Sequence, residues 1–122
     1  MIHLTLPYPP SVNNYWRMSH GRFYIDQKGV DFRNAVQSIV LQARANNKVR
    51  GRLKAEIFAI MPDRRVRDLD NLNKAILDSL TYSQVIEDDK HIDDLRIVRA
   101  GYEKNNGRIE IYISELIEGE QC

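Results

Sequence analysis

Alternating apolar and polar residues predict two strands in the first half of the chain. Residues 2–6 alternate in this way until the segment 7–10, whose three prolines cannot donate to a strand ladder. Residues 52–61 alternate again, and their apolar positions on one face are Leu53, Ala55, Ile57 and Ala59. Phe58 and Ile60 make the other face apolar too, which suits a central strand buried on both faces.

The same pattern returns near the C-terminus. Residues 95–102 and 108–116 predict two closing strands, the second alternating through three isoleucines. Residues 104–107, Lys-Asn-Asn-Gly, predict a hairpin turn that joins them.

Apolar residues at spacings of three and four predict two helices. The first covers residues 30–46, with Phe32 off its main stripe, and the stripe consists of Val30, Ala35, Val36, Ile39, Val40 and Ala43. Asn46, Asn47 and Gly51 are predicted to end it. The second helix covers about Leu69 to Thr81, and its stripe is Leu69, Leu72, Ile76 and Leu80.

The remaining long segment, residues 11–29, predicts a loop with a short hairpin at Arg22–Ile25. Long irregular loops in small domains are usually functional or disordered. The element order is then β-α-β-α-β-β, which indicates an α+β (α/β) fold with a mixed sheet covered by two helices. With 122 residues, we expect residues 1–122 to form a single domain.

The amino-acid composition bears on where in the cell the protein is expected. No stretch approaches the roughly 20 apolar residues that a membrane span needs, and residues 1–10 do not resemble a signal peptide. The one cysteine, Cys122, precludes an internal disulfide framework. We therefore expect a cytoplasmic protein without a membrane partner.

Charge is divided unevenly along the chain. Residues 1–67 hold twelve Lys/Arg and four Asp/Glu, whereas residues 68–122 hold six and thirteen. A basic half can bind phosphates, and an acidic half can bind metal ions. The two halves can also simply pair with each other, so this feature by itself leaves DNA binding open.

The most informative segment is residues 61–80, where a basic turn leads into Asp68-Leu-Asp70 at the mouth of the second helix. Lys74 lies one helical turn beyond Asp70, so the two side chains are neighbours. Asn71 and Asp78 share that polar face, opposite the apolar stripe.

Convergent aspartates can hold Mg²⁺, which takes oxygen ligands and activates water for phosphodiester hydrolysis. A nearby lysine adds positive charge where the transition state becomes more negative. A third carboxylate is available within the acidic stretch 87–94. The competing interpretation is a helix cap at Asp68 and an ordinary surface pair between Asp70 and Lys74. Arg64, Arg65 and Arg67 beside the aspartates favour a site for metal and polyanion.

Residues 61–74 resemble the signature of the RusA family of Holliday junction resolvases. Residues 6–11, Asn13-Asn14, Arg17, Gly21-Arg22 and Gly107-Arg108 also resemble that family, so that the resemblance covers nearly the whole chain. It implies an endodeoxyribonuclease that makes paired, symmetric nicks in four-way DNA junctions as a homodimer of α/β subunits, in recombination and repair.

The resemblance also implies roles for individual residues. Asp68, Asp70 and Asp89 would bind Mg²⁺, with Mn²⁺ as a substitute, and Lys74 would be needed for cleavage. Asp88 is the alternative to Asp89 as third ligand. Glu87 stands where the family pattern has an apolar residue, and this departure leaves a different third ligand open.

Candidate DNA contacts come from the basic turn and from the long loop. Arginines give salt-dependent phosphate contacts, and aromatic rings can stack on bases exposed at a junction. The alternative for the rings is burial in the core or in an interface. The predicted DNA-binding residues are Asn14, Trp16, Arg17, Arg22, Arg64, Arg65, Arg67 and Asn71.

Three functions remain in competition at this point: a junction-selective endonuclease, a junction-binding module without catalysis, and a metal-dependent nuclease without junction preference. A binding module does not need Asp68, Asp70 and Lys74 together, and unneutralised aspartates repel phosphate. This favours an enzyme.

Overall fold

A computed structural model describes residues 1–10, 16–65 and 68–116. Four of its strands form one mixed sheet in the order β1-β6-β4-β5, and the other two form a separate hairpin. In chain order the elements are β1 (Ile2–Pro7), β2 (Trp16–Ser19), β3 (Arg22–Ile25), α1 (Gln27–Gln42), β4 (Leu53–Met61), α2 (Leu69–Tyr82), a 3₁₀ helix (Asp89–His91), β5 (Ile92–Tyr102) and β6 (Arg108–Glu115). The predicted mixed sheet with two main helices is confirmed. The single-domain assignment stays a prediction.

The central strand is β4, which pairs parallel with β5 and antiparallel with β6. Its alternate residues are fully buried, and they pack with both helices in one core. The other face of β4 is only half-buried, from Lys54 through Phe58 to Ile60. The prediction of a central strand is therefore correct, but burial of both faces is wrong for the described residues, because both helices lie on the same side of the sheet.

The predicted hairpin between the last two strands is wrong. β5 and β6 lie on opposite sides of β4 and do not pair with each other. The connection between them crosses the end of β4, where the Glu103 amide donates to the Met61 carbonyl and the Asn105 amide donates to the Pro62 carbonyl. Alternation identifies the buried face of a strand but not its neighbour, so the pattern could not reveal this crossing.

Helix α1 begins and ends earlier than predicted. Its buried residues are Gly29, Phe32, Val36 and Val40, so Phe32 belongs to the core stripe. Ala43 is instead the exposed C-cap residue. Arg44 follows with φ of 55°, and the Ala45 amide donates to the Val40 carbonyl.

Helix α2 ends in the same way. Gln84 has φ of 66°, and the Val85 amide donates to the Leu80 carbonyl. A left-handed residue followed by a buried apolar one is typical of a helix C-terminus, but glycine usually occupies the left-handed position. Arginine and glutamine there give little sequence signal.

A hairpin is present where one was predicted, but its bounds differ: Arg22–Ile25 forms only the second strand, β3, which pairs with β2 (Trp16–Ser19). The turn residues of the hairpin, His20 and Gly21, have φ of 52° and 75°. Two successive positive φ values match the right-handed twist of paired strands. The strand β2, which falls within the predicted loop, was not foreseen.

Candidate active site

Helix α2 presents the two predicted aspartates at its N-terminus. Asp68 is the extended N-cap residue, with φ of −75° and ψ of 130°, and its side chain makes no capping hydrogen bond. Asp70 lies in the first turn, and both residues are exposed. The capping interpretation of Asp68 therefore has no support in the geometry. Both residues also lie at the positive end of the helix dipole, where acidic side chains favour the helix.

Lys74 lies about 6 Å further along the helix axis than Asp70. The two side chains form no ion pair within the described part of the chain, so the interpretation as an ordinary surface pair is also unsupported. Lys74 instead lines a cavity of about 290 Å³, together with Asn73, Leu77, Asp78, Thr81 and Asp89. The structure thus brings Lys74 and Asp89 to one cavity from separate elements.

The two adjacent aspartates of the acidic stretch differ in their surroundings. The Asp88 carboxylate accepts the Lys90 amide at 3.1 Å and so caps the 3₁₀ helix. Asp89 faces the cavity beside α2. This geometry favours Asp89 over Asp88 as the residue that acts in the site.

The pKa values of Asp88 and Asp89 are shifted in opposite directions. A hydrogen bond between the two side chains raises the pKa of Asp89, and burial and the charges of Asp88 and Asp78 raise it further. The amide hydrogen bond from Lys90 lowers the pKa of Asp88. Such accumulation of negative charge around Asp89 is the electrostatic environment that a bound cation relieves.

Glu87, the residue that departs from the family pattern, has partners of its own. It lies 3.1 Å from His91 and 3.5 Å from Arg50. The hydrogen bond with His91 lowers its pKa. These contacts direct the Glu87 carboxylate to basic side chains rather than to the cavity.

The donor set fits a hard divalent cation in chemistry, because all three predicted ligands are carboxylates. In geometry the set is spread out: Asp68 and Asp70 lie at the start of α2, whereas Asp89 lies beside its middle. Among residues 1–10, 16–65 and 68–116, no three acidic, histidine or cysteine side chains converge on one point. Mutual repulsion between carboxylates disfavours convergence without a counterion.

Two charged residues at or beside this cavity were not selected from the sequence. Asp78 lines the cavity one turn beyond Lys74, and Arg33 on α1 binds it at 2.8 Å. The i, i+4 spacing of Lys74 and Asp78 on the polar face was the available signal for Asp78. Arg33 had none, because its partner lies 45 residues away.

The predicted DNA contacts are described to different extents. Arg64, Arg65 and Asn71 are exposed close to the start of α2. Asn14 and Arg67 lie outside the described residues, and for Trp16, Arg17 and Arg22 the structure describes only the backbone of the hairpin β2–β3.

A family model described as "Endodeoxyribonuclease RusA" matches residues 7–114, which extend from the last residue of β1 through both helices to all but the last residue of β6. The chain belongs to the RusA family. The family resemblance inferred from residues 61–74 is thereby confirmed.

Curated members of the RusA family match over almost their whole length. A protein of Enterobacteria phage HK97 named crossover junction endodeoxyribonuclease rusA is 44% identical over 111 residues, which cover 91% of this chain and 92% of that protein. Proteins of the same name from Enterobacteria phage 82 and Escherichia coli strain K12 are each 40% identical, over 93% of this chain and 94% and 93% of their own lengths.

None of the helices in the described ranges is long and apolar enough to cross a bilayer.

Proposed function

We propose that this protein is a metal-dependent endodeoxyribonuclease that resolves four-way DNA junctions by paired, symmetric nicks. The names of its relatives support the substrate class. One observation supports the catalytic part of the proposal. Asp68 and Asp70 are exposed at the start of α2, and the Asp68 side chain makes no capping hydrogen bond. Lys74 of the same helix lines one cavity with Asp89.

The proposed cofactor is Mg²⁺, with Mn²⁺ as a substitute. Asp68, Asp70 and Asp89 would hold it, because exposed carboxylates are the ligands that hard divalent ions prefer. When bound, the ion would activate water and stabilise the charge that develops on the scissile phosphate. Closing the gap between the start of α2 and Asp89 would then accompany binding of metal and substrate.

The protein's own cations complete the proposed mechanism. Lys74 would lie beside the scissile phosphate and stabilise its increasing negative charge. Asn71 and the arginines of the basic turn, Arg64, Arg65 and Arg67, would hold the flanking phosphates and so orient the strand. Positive charge around the carboxylates also offsets the repulsion between phosphate and aspartate before cleavage.

A homodimer is part of the proposal. A folded four-way junction has approximate two-fold symmetry, and a two-fold protein can present one site to each of two symmetry-related strands. A single chain with one site could nick only one strand at a time. The proposed place of action is the cytoplasm.

The deciding experiment compares a labelled synthetic four-way junction with a linear duplex of the same sequence, in Mg²⁺ and in its absence. The proteins are wild type, Asp70→Asn, and Asp31→Asn as a matched control, since Asp31 is an exposed acid on α1. We expect symmetric nicks in the junction alone, a loss of at least about 100-fold in Asp70→Asn with binding retained, and no loss in the control. Calorimetric titration with Mg²⁺ and Mn²⁺ gives a separate measure of metal binding.

Other outcomes would identify the competing functions. Tight junction binding without cleavage in either metal would indicate a binding module and contradict the proposed catalytic residues. Equal cleavage of duplex and junction would indicate a nuclease without junction preference. Full activity of Asp70→Asn would contradict its role as a metal ligand.

A further inference from the structure

A second cavity, of about 380 Å³, lies at the carboxyl ends of the parallel strands β4 and β5. Its charged lining residues are Arg64, Arg65, Arg99 and Asp63, and Tyr102 forms part of its wall. Arg99 and Tyr102 come from β5, which contributes none of the predicted site residues. The carboxyl ends of parallel strands are a common position for binding sites in sheets of this kind.

A β-bulge places Arg99 and Tyr102 on the same side of β5. Arg99 pairs with Ala59 and Tyr102 pairs with Met61, and the register shift between them leaves Ala100 as the extra residue. Ala59 and Met61 both face the helices. Residues three apart in a regular strand point to opposite faces, so without the bulge these two side chains would separate.

The Tyr102 ring also holds one of the arginines in place. The guanidinium carbon of Arg64 lies 4.6 Å from the centre of this ring, and Tyr102 remains 43% exposed. This contact joins the basic turn to the end of β5. The guanidinium and the aromatic ring together present a partly open surface on which a nucleobase can stack.

Charge in the cavity is strongly positive, with three arginines against one aspartate. The Asp63 carboxylate accepts the Arg65 amide at 3.0 Å and lies 3.4 Å from the Arg65 guanidinium. That contact orients the arginine, whose side chain is 79% exposed and so keeps its charge accessible. Clustered guanidiniums of this kind bind phosphate.

We propose that this cavity binds one unpaired nucleotide of the DNA substrate, with its phosphate on Arg65 and Arg99 and its base on the Arg64–Tyr102 stack. The inference rests on the proposed function, since it takes DNA as the ligand. It adds Arg99 and Tyr102 to the DNA-contacting residues and assigns the cavity a specific part of the substrate.

The position of the cavity fits such a role. Arg65 and Asp68 are three residues apart, so their Cα atoms lie within about 11 Å of each other. A nucleotide in the cavity would therefore be a near neighbour of the phosphate at Asp68 and Asp70. Nucleotides at the open centre of a four-way junction are those whose bases are accessible for stacking, so this contact would favour cleavage close to the branch point.

The test for phosphate binding compares Arg99→Gln with Arg96→Gln. Arg96 is a matched control because it lies on the same strand, with the same charge, and faces the opposite side of the sheet beside Glu56. Affinity for a junction and for a short oligothymidylate is measured by fluorescence anisotropy, in chelator, over a range of salt concentrations. We expect Arg99→Gln to bind more weakly and to reduce the slope of log Kd against log salt by about one, with no such change in Arg96→Gln.

The test for base stacking uses Tyr102→Leu and Tyr102→Phe. Leucine should weaken binding of both probes about five-fold or more without changing the salt slope, whereas phenylalanine should bind like wild type. Photocrosslinking to junctions that carry 5-iodouracil at the branch point, followed by peptide mass spectrometry, should locate a crosslink at Tyr102.

The two proposals fail in different ways. If wild type cuts junctions but Arg99→Gln and Tyr102→Leu bind both probes as wild type does, the nucleotide site is wrong and the nuclease proposal stands. If wild type neither binds nor cuts junctions, the nuclease proposal is wrong, and failure to bind oligothymidylate would overturn the nucleotide site as well. Crosslinks confined to other residues would also overturn it.

Discussion

Arg33 on α1 holds Asp78 on α2 through two hydrogen bonds, of 2.9 Å from its Nε and 3.1 Å from one terminal nitrogen. The same guanidinium lies 4.6 Å from the centre of the Tyr82 ring. Only 19% of the Arg33 side chain and 26% of the Asp78 side chain are exposed. Because Asp78 lines the cavity that contains Lys74 and Asp89, this pair both joins the two helices and compensates a charge beside the candidate active site.

Arg33→Gln should destabilise the protein by about 1–3 kcal/mol, because it removes the guanidinium that the half-buried Asp78 carboxylate binds. Urea denaturation measures this free energy of unfolding. Arg50→Gln is the control, since Arg50 is 76% exposed and lies 3.5 Å from Glu87, and its loss should cost less than about 1 kcal/mol. Equal stability of Arg33→Gln and wild type would show that the pair does not hold the helices together.

Most helices and strands, and one half of the candidate site, could be predicted from the sequence. Asp70 and Lys74 lie on a single helix, so the helical repeat alone determines their relative positions, and Asp68 is the extended residue directly before that helix. Asp89 joins Lys74 only through the packing of the 3₁₀ helix against α2. Local patterns contain no information on that contact, and the family resemblance was needed to select Asp89.

The incorrect predictions concern segments whose structure depends on contacts with residues far away in the sequence. The sequence after Tyr102 is typical of a hairpin turn, but two amides of this connection donate to the carbonyls of Met61 and Pro62 at the end of β4. The grouping of Arg99 with Tyr102 was likewise unforeseen, because it depends on a bulge set by pairing with β4. Regular alternation assigns those two side chains to opposite faces.

Gly107→Ala should destabilise the protein by about 1–3 kcal/mol. A Cβ atom at this position would lie 2.7 Å from Cβ and 2.8 Å from Cδ of Pro62, and a proline ring fixed to the backbone cannot move aside cheaply. Thermal and urea denaturation measure the loss. Gly101→Ala is the control, because its Cβ would meet only Ile60 Cδ1, at 3.7 Å. A wild-type stability for Gly107→Ala would contradict the tight crossing of β4.

Glu103 should make stability depend on pH. Hydrogen bonds from Arg108 and Asn106, both of 2.7 Å, lower its pKa in the folded state. A folded-state pKa below the unfolded one stabilises the fold above the unfolded value, and this stabilisation is lost as the pH falls through the folded value. Glu103→Gln should therefore melt at a lower temperature than wild type at neutral pH. The difference should vanish once the pH is below the folded pKa, and a difference independent of pH would exclude this linkage.

Asp88 and Asp89 should differ sharply when each is changed to asparagine. Asp89 faces the cavity of Lys74, whereas Asp88 caps the 3₁₀ helix by accepting the Lys90 amide at 3.1 Å. We expect Asp89→Asn to lose junction cleavage by at least about 100-fold while it still binds DNA, because it removes a proposed metal ligand. Asp88→Asn keeps an oxygen that can cap the helix, so it should lose only about 10-fold, as a residue that supports a ligand does.

Single-turnover cleavage of a junction at saturating enzyme separates these two effects from weaker binding. Calorimetric titration with Mn²⁺ adds a readout independent of activity, in which Asp89→Asn should bind the ion more weakly than Asp88→Asn. The reverse order in both measurements would assign the third ligand to Asp88. The 3₁₀ helix would then have to rearrange when the metal binds, because the Asp88 carboxylate would have to leave the Lys90 amide.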